Sequence, residues 1–207
     1  MQFKPSYRVM DHIDVLPRWE ALKDEKNFYQ SSPKFVWDNG GPIARDFLDI
    51  LYADGFEDTK WIIDQRVHHL QAGYYPAIPG YHLDWIPRKD KGTLPDLSVI
   101  PDYEHVVLIV GETSLTEFVA EPFETLVEYQ TFEEYNDYIK KNKLGTWSVR
   151  NGDMVHFTSG DWHRPVEAQQ TEWRMLIRAS RVDHVKQPTN QIRNQSQVYI
   201  PIQEASW

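Results

Sequence analysis

Apolar positions recur with two different periods along this chain, and the change from one to the other falls near Lys60. Before it, the spacing is helical. Trp19 and Leu22 stand among charges, which predicts a surface helix over Trp19 to Tyr29. Pro42 suits a first helical turn, and Asp38 or Asn39 lies close enough to cap it. Ile43, Phe47, Leu48 and Leu51 then repeat at helical spacing, and Gly55 offers a left-handed stop. Residues 1–59 therefore read as a largely helical layer.

After Lys60 the pattern shortens to strands. Trp61 to Leu70 alternates in part, and Gly73 and Pro76 punctuate its end. The stretch from Tyr74 to Trp85 reads as a further strand. Arg88 to Asp96 is polar and rich in breakers, a covering loop over 88–98. His105 to Val110 is an apolar β-branched run of the kind buried on both faces. Thr113 to Thr125 is extended. One helix interrupts the strands: Thr131-Phe132-Glu133-Glu134 forms a capping box, with Phe132, Tyr135 and Ile139 on one face. Asn151-Gly152 marks a tight turn. Strands follow over 153–158, 162–168 and 172–180, and the tail is irregular until Val198-Tyr199-Ile200. Helices followed by many short strands indicate an α+β, mainly β chain with a sandwich or barrel core over 60–181. The N-terminal layer and a 182–207 extension complete a single domain.

Composition narrows the function. The 207 residues carry 22 Lys+Arg against 31 Asp+Glu, a formal charge of −9. Such a surface repels phosphate backbones, so bulk nucleic acid is not an expected partner. The absence of cysteine excludes disulfides, thiolate metal sites and a cysteine nucleophile. Neither a signal-peptide core nor a membrane-length apolar run is present, so a soluble cytoplasmic protein is expected.

Candidate chemistry centres on His82-Leu83-Asp84. Residues i and i+2 of a strand share a face, so imidazole and carboxylate would aim at one point. Together they make two thirds of a 2-His-1-carboxylate set for non-haem Fe(II). His163, after a Gly-Asp turn, is the candidate third ligand. Eleven positions later comes Arg174, then Arg178, four apart and on one strand face, with Trp173, Met175 and Ile177 on the other. A guanidinium fork at such a place suits a carboxylate. His156 rivals His163 but lies mid-strand between Val155 and Phe157. One of His68 and His69 must point inward, more naturally as a supporting than a ligating group. His105 reads as structural. Tyr81, Trp85 and Trp162 flank the site as pocket lining or as core. Lys140, Lys141 and Lys143 suit a helix C-terminus.

The order His82-x-Asp84, His163, Arg174 resembles the HxD…H…R pattern of the Fe(II)/2-oxoglutarate-dependent oxygenases, over roughly residues 60–181. The resemblance implies a double-stranded β-helix (jelly roll, cupin-like) with N-terminal helices packed on its major sheet. It implies Fe(II) on His82, Asp84 and His163, with 2-oxoglutarate as co-substrate. Arg174 would pair with the C5 carboxylate, with Arg178 as alternative or helper. O2 and a small molecule or side chain would complete the reaction, giving succinate, CO2 and usually a hydroxylated product. Related halogenases replace the carboxylate ligand with a small residue; Asp84 is kept here. A different class, a jelly-roll ligand-binding protein without redox chemistry, is separated from this one by whether an arginine faces inward at an intact metal set.

Overall fold

The computed structural model describes residues 1–56, 61–89, 94–125, 129–182 and 186–200. In chain order the elements are β1 (Gln2–Phe3), β2 (Arg8–His12), α1 (Trp19–Leu22), β3 (Asn27–Ser31), α2 (Pro33–Asn39), α3 (Pro42–Ala53), β4 (Ile62–Leu70) and β5 (Glu104–Val110). They continue with β6 (Thr116–Val119), β7 (Phe123–Glu124), α4 (Phe132–Lys141), β8 (Thr146–Ser148), β9 (Asp153–Thr158), β10 (His163–Pro165), β11 (Glu172–Ser180) and β12 (Gln191–Arg193). Among the described residues, seven strands form one antiparallel sheet in the order β12-β3-β4-β11-β5-β9-β2. A smaller antiparallel sheet has the order β10-β6-β8, and β1 pairs with β7. The chain is thus mostly β, with a large antiparallel sheet and a few helices. No helix among the described residues is long and apolar enough to cross a membrane.

The two faces of the large sheet differ in chemistry. Ile63 on β4, Val106, Leu108 and Val110 on β5, Met154 on β9, and Met175, Ile177 and Ala179 on β11 form one face. Against it α3 buries Ile43, Ala44, Phe47, Leu48 and Leu51, and α2 buries Val36. Each such side chain contributes about 1.5–3 kcal/mol on leaving water. On the opposite face Val107, Ile109, Val155 and Phe157 pack against Phe118 and Val149 from the smaller sheet's side. A third cluster, of Phe3, Tyr81, Leu83, Tyr135, Ile139 and Trp162, joins α4 to the segment around His82.

The capping box of α4 is complete: Thr131 Oγ1 accepts from the Glu134 amide, and the Glu134 carboxylate accepts from the Thr131 amide. Gly55 ends α3 at φ +85°. The Asn151-Gly152 turn forms as expected. Gly152 holds φ +81°, and a Cβ there would stand 2.2 Å from the Ile13 carbonyl oxygen.

Four expectations need correction. The layer over 1–59 is only partly helical: α2 and α3 are present, but β2 and β3 belong to the large sheet. The helix expected over Trp19 to Tyr29 ends at Leu22, because Phe28 is buried and the Asn27 side chain accepts from the Val67 amide of β4. The cap of α3 is neither Asp38 nor Asn39. Buried Glu25 reaches across to accept from the Ile43 and Ala44 amides at 2.7 and 3.4 Å. The stretch holding His82 is not a continuous strand either. It makes two isolated bridges, Tyr75 to Tyr199 and His82 to His163, and Trp85 turns it with φ +56°.

Of the covering loop over 88–98, residues 90–93 lie outside the described ones. Arg88 bridges Pro95, and Leu97 is buried. The tail is described over 186–200: β12 pairs with β3, and Tyr199 bridges Tyr75.

Candidate metal centre

One bridge does the work expected of a strand. His82 N donates to His163 O at 2.9 Å and His163 N donates to His82 O at 3.2 Å, so the two histidines stand directly opposite. Their ring centroids are 4.7 Å apart. Asp84, two residues on, joins them, and one ligand atom from each of His82, Asp84 and His163 lies within 4.8 Å of the others. His163 sits at the start of β10, with its ring against Phe118 and Phe157.

The hydrogen bonds of the two rings decide what they can offer. His82 Nδ1 lies 2.9 Å from Gly80 O, and His163 Nδ1 lies 3.0 Å from Asp161 O. A carbonyl oxygen only accepts, so each Nδ1 carries a proton and Nε2 is the atom of each ring left to offer a lone pair. This backbone-anchored tautomer is the one found in metal-ligating histidines. His163 Nε2 stands 3.4 Å from Asp84 Oδ2. Two lone-pair nitrogens facing a carboxylate make a donor set that a divalent cation completes. Burial, then the neighbouring His163, brings His82 down to about 4 against the pull of Asp84. Burial raises the Asp84 carboxyl, but Arg178 and His163 outweigh it and hold it well below the usual carboxylate range.

The strand register places the arginines. Arg174 pairs with His68, Leu176 with Arg66 and Arg178 with Asp64. These side chains share the face that looks away from α3, as the spacing of 174 and 178 predicts. Their surroundings differ. Arg178 is bonded to Asp84 through Nη1, and its Nη2 lies 3.5 Å from Asp64 Oδ2. Arg174, 2% exposed, has no carboxylate partner among the described residues. Its Nε donates to Ser114 O at 2.6 Å. That carbonyl is held in place by Glu172, which accepts from the amides of Glu112, Thr113 and Ser114 and from the Thr113 hydroxyl. Burial brings Arg174 to about 10, with Glu172 raising it and Arg66 lowering it, so it stays protonated at neutral pH.

Both arginines and all three candidate ligands line one cavity of about 1180 Å³, together with Trp85, Phe132 and Tyr199. Such a volume suits small molecules.

The other four histidines considered as candidates take separate places. His156 lies on the helix-side face opposite Val106, near Glu104 and Phe56, away from the triad. His68 points inward and His69 outward, where it packs on Trp173. His105 is buried between the Ser180 and Ser159 hydroxyls. Trp162 is core, packed on Phe3 and Tyr135, while Trp85 faces the cavity with Lys186 over its ring. Tyr81 lines the cavity and donates its hydroxyl to Glu117.

Sequence reasoning missed Asp64 and Arg66. Their signal was present: Asp64, Arg66 and His68 occupy alternate positions of one strand, as unusual on a buried sheet face as the pair on β11.

The chain matches no protein-family model, and no curated protein matches it.

Proposed function

We propose that the protein is an Fe(II)- and 2-oxoglutarate-dependent oxygenase acting on a small molecule or a side chain, built on a jelly-roll arrangement of its two sheets. One observation carries the reading. A two-histidine, one-carboxylate set and a buried arginine without a carboxylate partner face the same cavity. An inward arginine beside an intact donor set also separates this reading from that of a jelly-roll binding protein without redox chemistry.

His82 and His163, through Nε2, and Asp84, through a carboxylate oxygen, would hold the iron. Fe(II) with 2-oxoglutarate and O2 supplies an oxidation that yields succinate, CO2 and, in the usual case, a hydroxylated substrate. The chain's own residues supply binding and orientation. Gly80 O and Asp161 O fix the two imidazole tautomers. Arg178 fixes Asp84 through Oδ2, the oxygen that the His163 ring also faces. Arg174, aimed by Ser114 O, presents its terminal nitrogens to the C5 carboxylate of 2-oxoglutarate as a charge-assisted pair. Arg178 is already matched by Asp84 and Asp64, so Arg174 is the clamp of the two. Phe118 and Phe157 wall His163 from water.

The test is succinate release from 2-oxoglutarate, with or without an added substrate. Release is expected to depend on Fe(II) and to vanish in His82→Ala and Asp84→Ala. Arg174→Gln is expected to raise the 2-oxoglutarate concentration needed by at least tenfold. Purified protein that neither binds Fe(II) nor turns over 2-oxoglutarate, even uncoupled, would sink the reading.

A further inference from the structure

The cavity holds more positive charge than a single co-substrate carboxylate uses. Arg66, Arg88, Lys140 and the two arginines of β11 line it, against Asp64, Asp84 and Glu133. With the histidines neutral, the lining is net positive within a chain that carries −9. Two carboxylates of the lining, buried Asp64 and half-buried Asp84, are engaged by Arg178. Arg174 and Arg66 are left without a carboxylate among the described residues.

Arg66 is the one that the co-substrate reading leaves unassigned. It sits on β4 opposite Leu176, one step along the same face from His68, the residue opposite Arg174. Diagonal neighbours of this kind stand about 7–8 Å apart at their backbones. That separation lets the two guanidiniums hold two different anionic groups. Arg174 is anchored at Nε by Ser114 O, whereas no described residue hydrogen-bonds or ion-pairs with the guanidinium of Arg66. A half-buried guanidinium with no partner, facing a cavity, keeps its full set of five donors for a ligand. Arg88 and Lys140 add positive charge, and a basic lining in an acidic protein concentrates anions in it.

We propose that the substrate carries an oxyanion, a carboxylate or a phosphate, and that Arg66 is the residue that binds it. This rests on the oxygenase reading for the separate use of Arg174, but not for the existence of an anion site at Arg66. The occupant therefore fills the cavity with its anionic end toward β4 and its remaining surface toward Trp85 and Phe132.

The experiment titrates inorganic phosphate and, separately, acetate into the full-length protein loaded with Mn(II) and saturated with 2-oxoglutarate, by calorimetry. Wild type is expected to bind at least one of the two saturably. Arg66→Gln is expected to weaken that binding at least tenfold, and Arg66→Lys, which keeps the charge, to weaken it less than Arg66→Gln does. The tighter of the two probes tells a phosphorylated substrate from a carboxylic acid. Arg174→Gln should weaken 2-oxoglutarate at least tenfold more than Arg66→Gln does. The proposal is overturned if neither probe binds saturably, if Arg66→Gln leaves their binding intact, or if Arg66→Gln weakens 2-oxoglutarate as much as Arg174→Gln. If 2-oxoglutarate fails to bind while phosphate or acetate still depends on Arg66, the oxygenase reading falls and the anion site stands.

Discussion

At the scale of single residues, Arg178 is the most constrained group in the cavity. Two carboxylates, Asp84 and Asp64, converge on it, and its Nε is buried without a partner. Removing one partner of a buried ionic cluster leaves charge uncompensated, which costs about 3–5 kcal/mol. Arg178→Gln should therefore lower the stability of the metal-free protein by that order. A divalent cation on Asp84 restores part of the missing positive charge. Mn(II) is accordingly expected to raise the melting temperature of Arg178→Gln by more than it raises that of wild type. Thermal melts with and without Mn(II) decide it, and equal shifts would remove Arg178 from any role beside the metal set. His82→Ala, which deletes a ligand and leaves Arg178 in place, should abolish the Mn(II) shift in either background.

At the scale of elements, β10 is three residues long and carries a candidate ligand, so something outside it must hold it in register. The turn before it does this. Asp161, buried, accepts from the amide and hydroxyl of Ser6 and from the amide and hydroxyl of Thr158, while its own carbonyl takes the His163 ring. Asp161→Ala would remove the charged acceptor of two part-buried backbone donors, the Ser6 and Thr158 amides, each such bond contributing about 1–2 kcal/mol. The expected result is a drop in stability of about 2–4 kcal/mol, together with weaker Mn(II) binding, because the His82–His163 bridge loses its support. Urea unfolding and Mn(II) titration read the two effects. Unchanged metal affinity in a destabilised Asp161→Ala would show that the turn serves the fold alone. Elements of this scale were also the best read in advance. The α4 capping box and the inward pair on β11 are local, periodic signals, and both formed. β3 did not announce itself, because the five charges between Trp19 and Asn27 imitate a helix surface while its strand character comes from pairing with β4. The segment from Tyr74 to Trp85 reads as a strand in the sequence. Only a partner far along the chain makes the single bridge that counts.

At the scale of the whole molecule, the contacts that the sequence pattern hid are the long-range ones. β2 lies at the sheet's edge against β9, and β12 closes the other edge against β3, so segments near both termini extend the sheet that carries Arg174 and Arg178. Nothing in a local period specifies pairing across more than 100 residues, so the core boundary at 60–181 was drawn too tightly for this sheet. The closing of the sheet by the tail also buries charge-sensitive groups. His68 is 3% exposed, with Nε2 3.1 Å from Gln197 O. Burial, and then Arg174, brings it down to about 3; the Gln197 carbonyl pulls the other way, and Arg66 lowers it further. His105, at about 3 for reasons of burial first, behaves alike. A histidine whose folded value lies below the unfolded value of about 6.5 stays neutral in the native state while the unfolded chain takes up a proton. Stability is therefore unaffected above about pH 6.5 and is lost as the pH falls from there towards 3. The slope is about 1.4 kcal/mol per pH unit for each such histidine. His68→Gln keeps a donor for the Gln197 carbonyl but cannot titrate. Its unfolding free energy, measured by urea titration across pH 7 to 4, should fall less steeply than that of wild type by about one proton. Parallel curves for the two proteins would mean that His68 is protonated in the folded state and that the tail does not seal it from water.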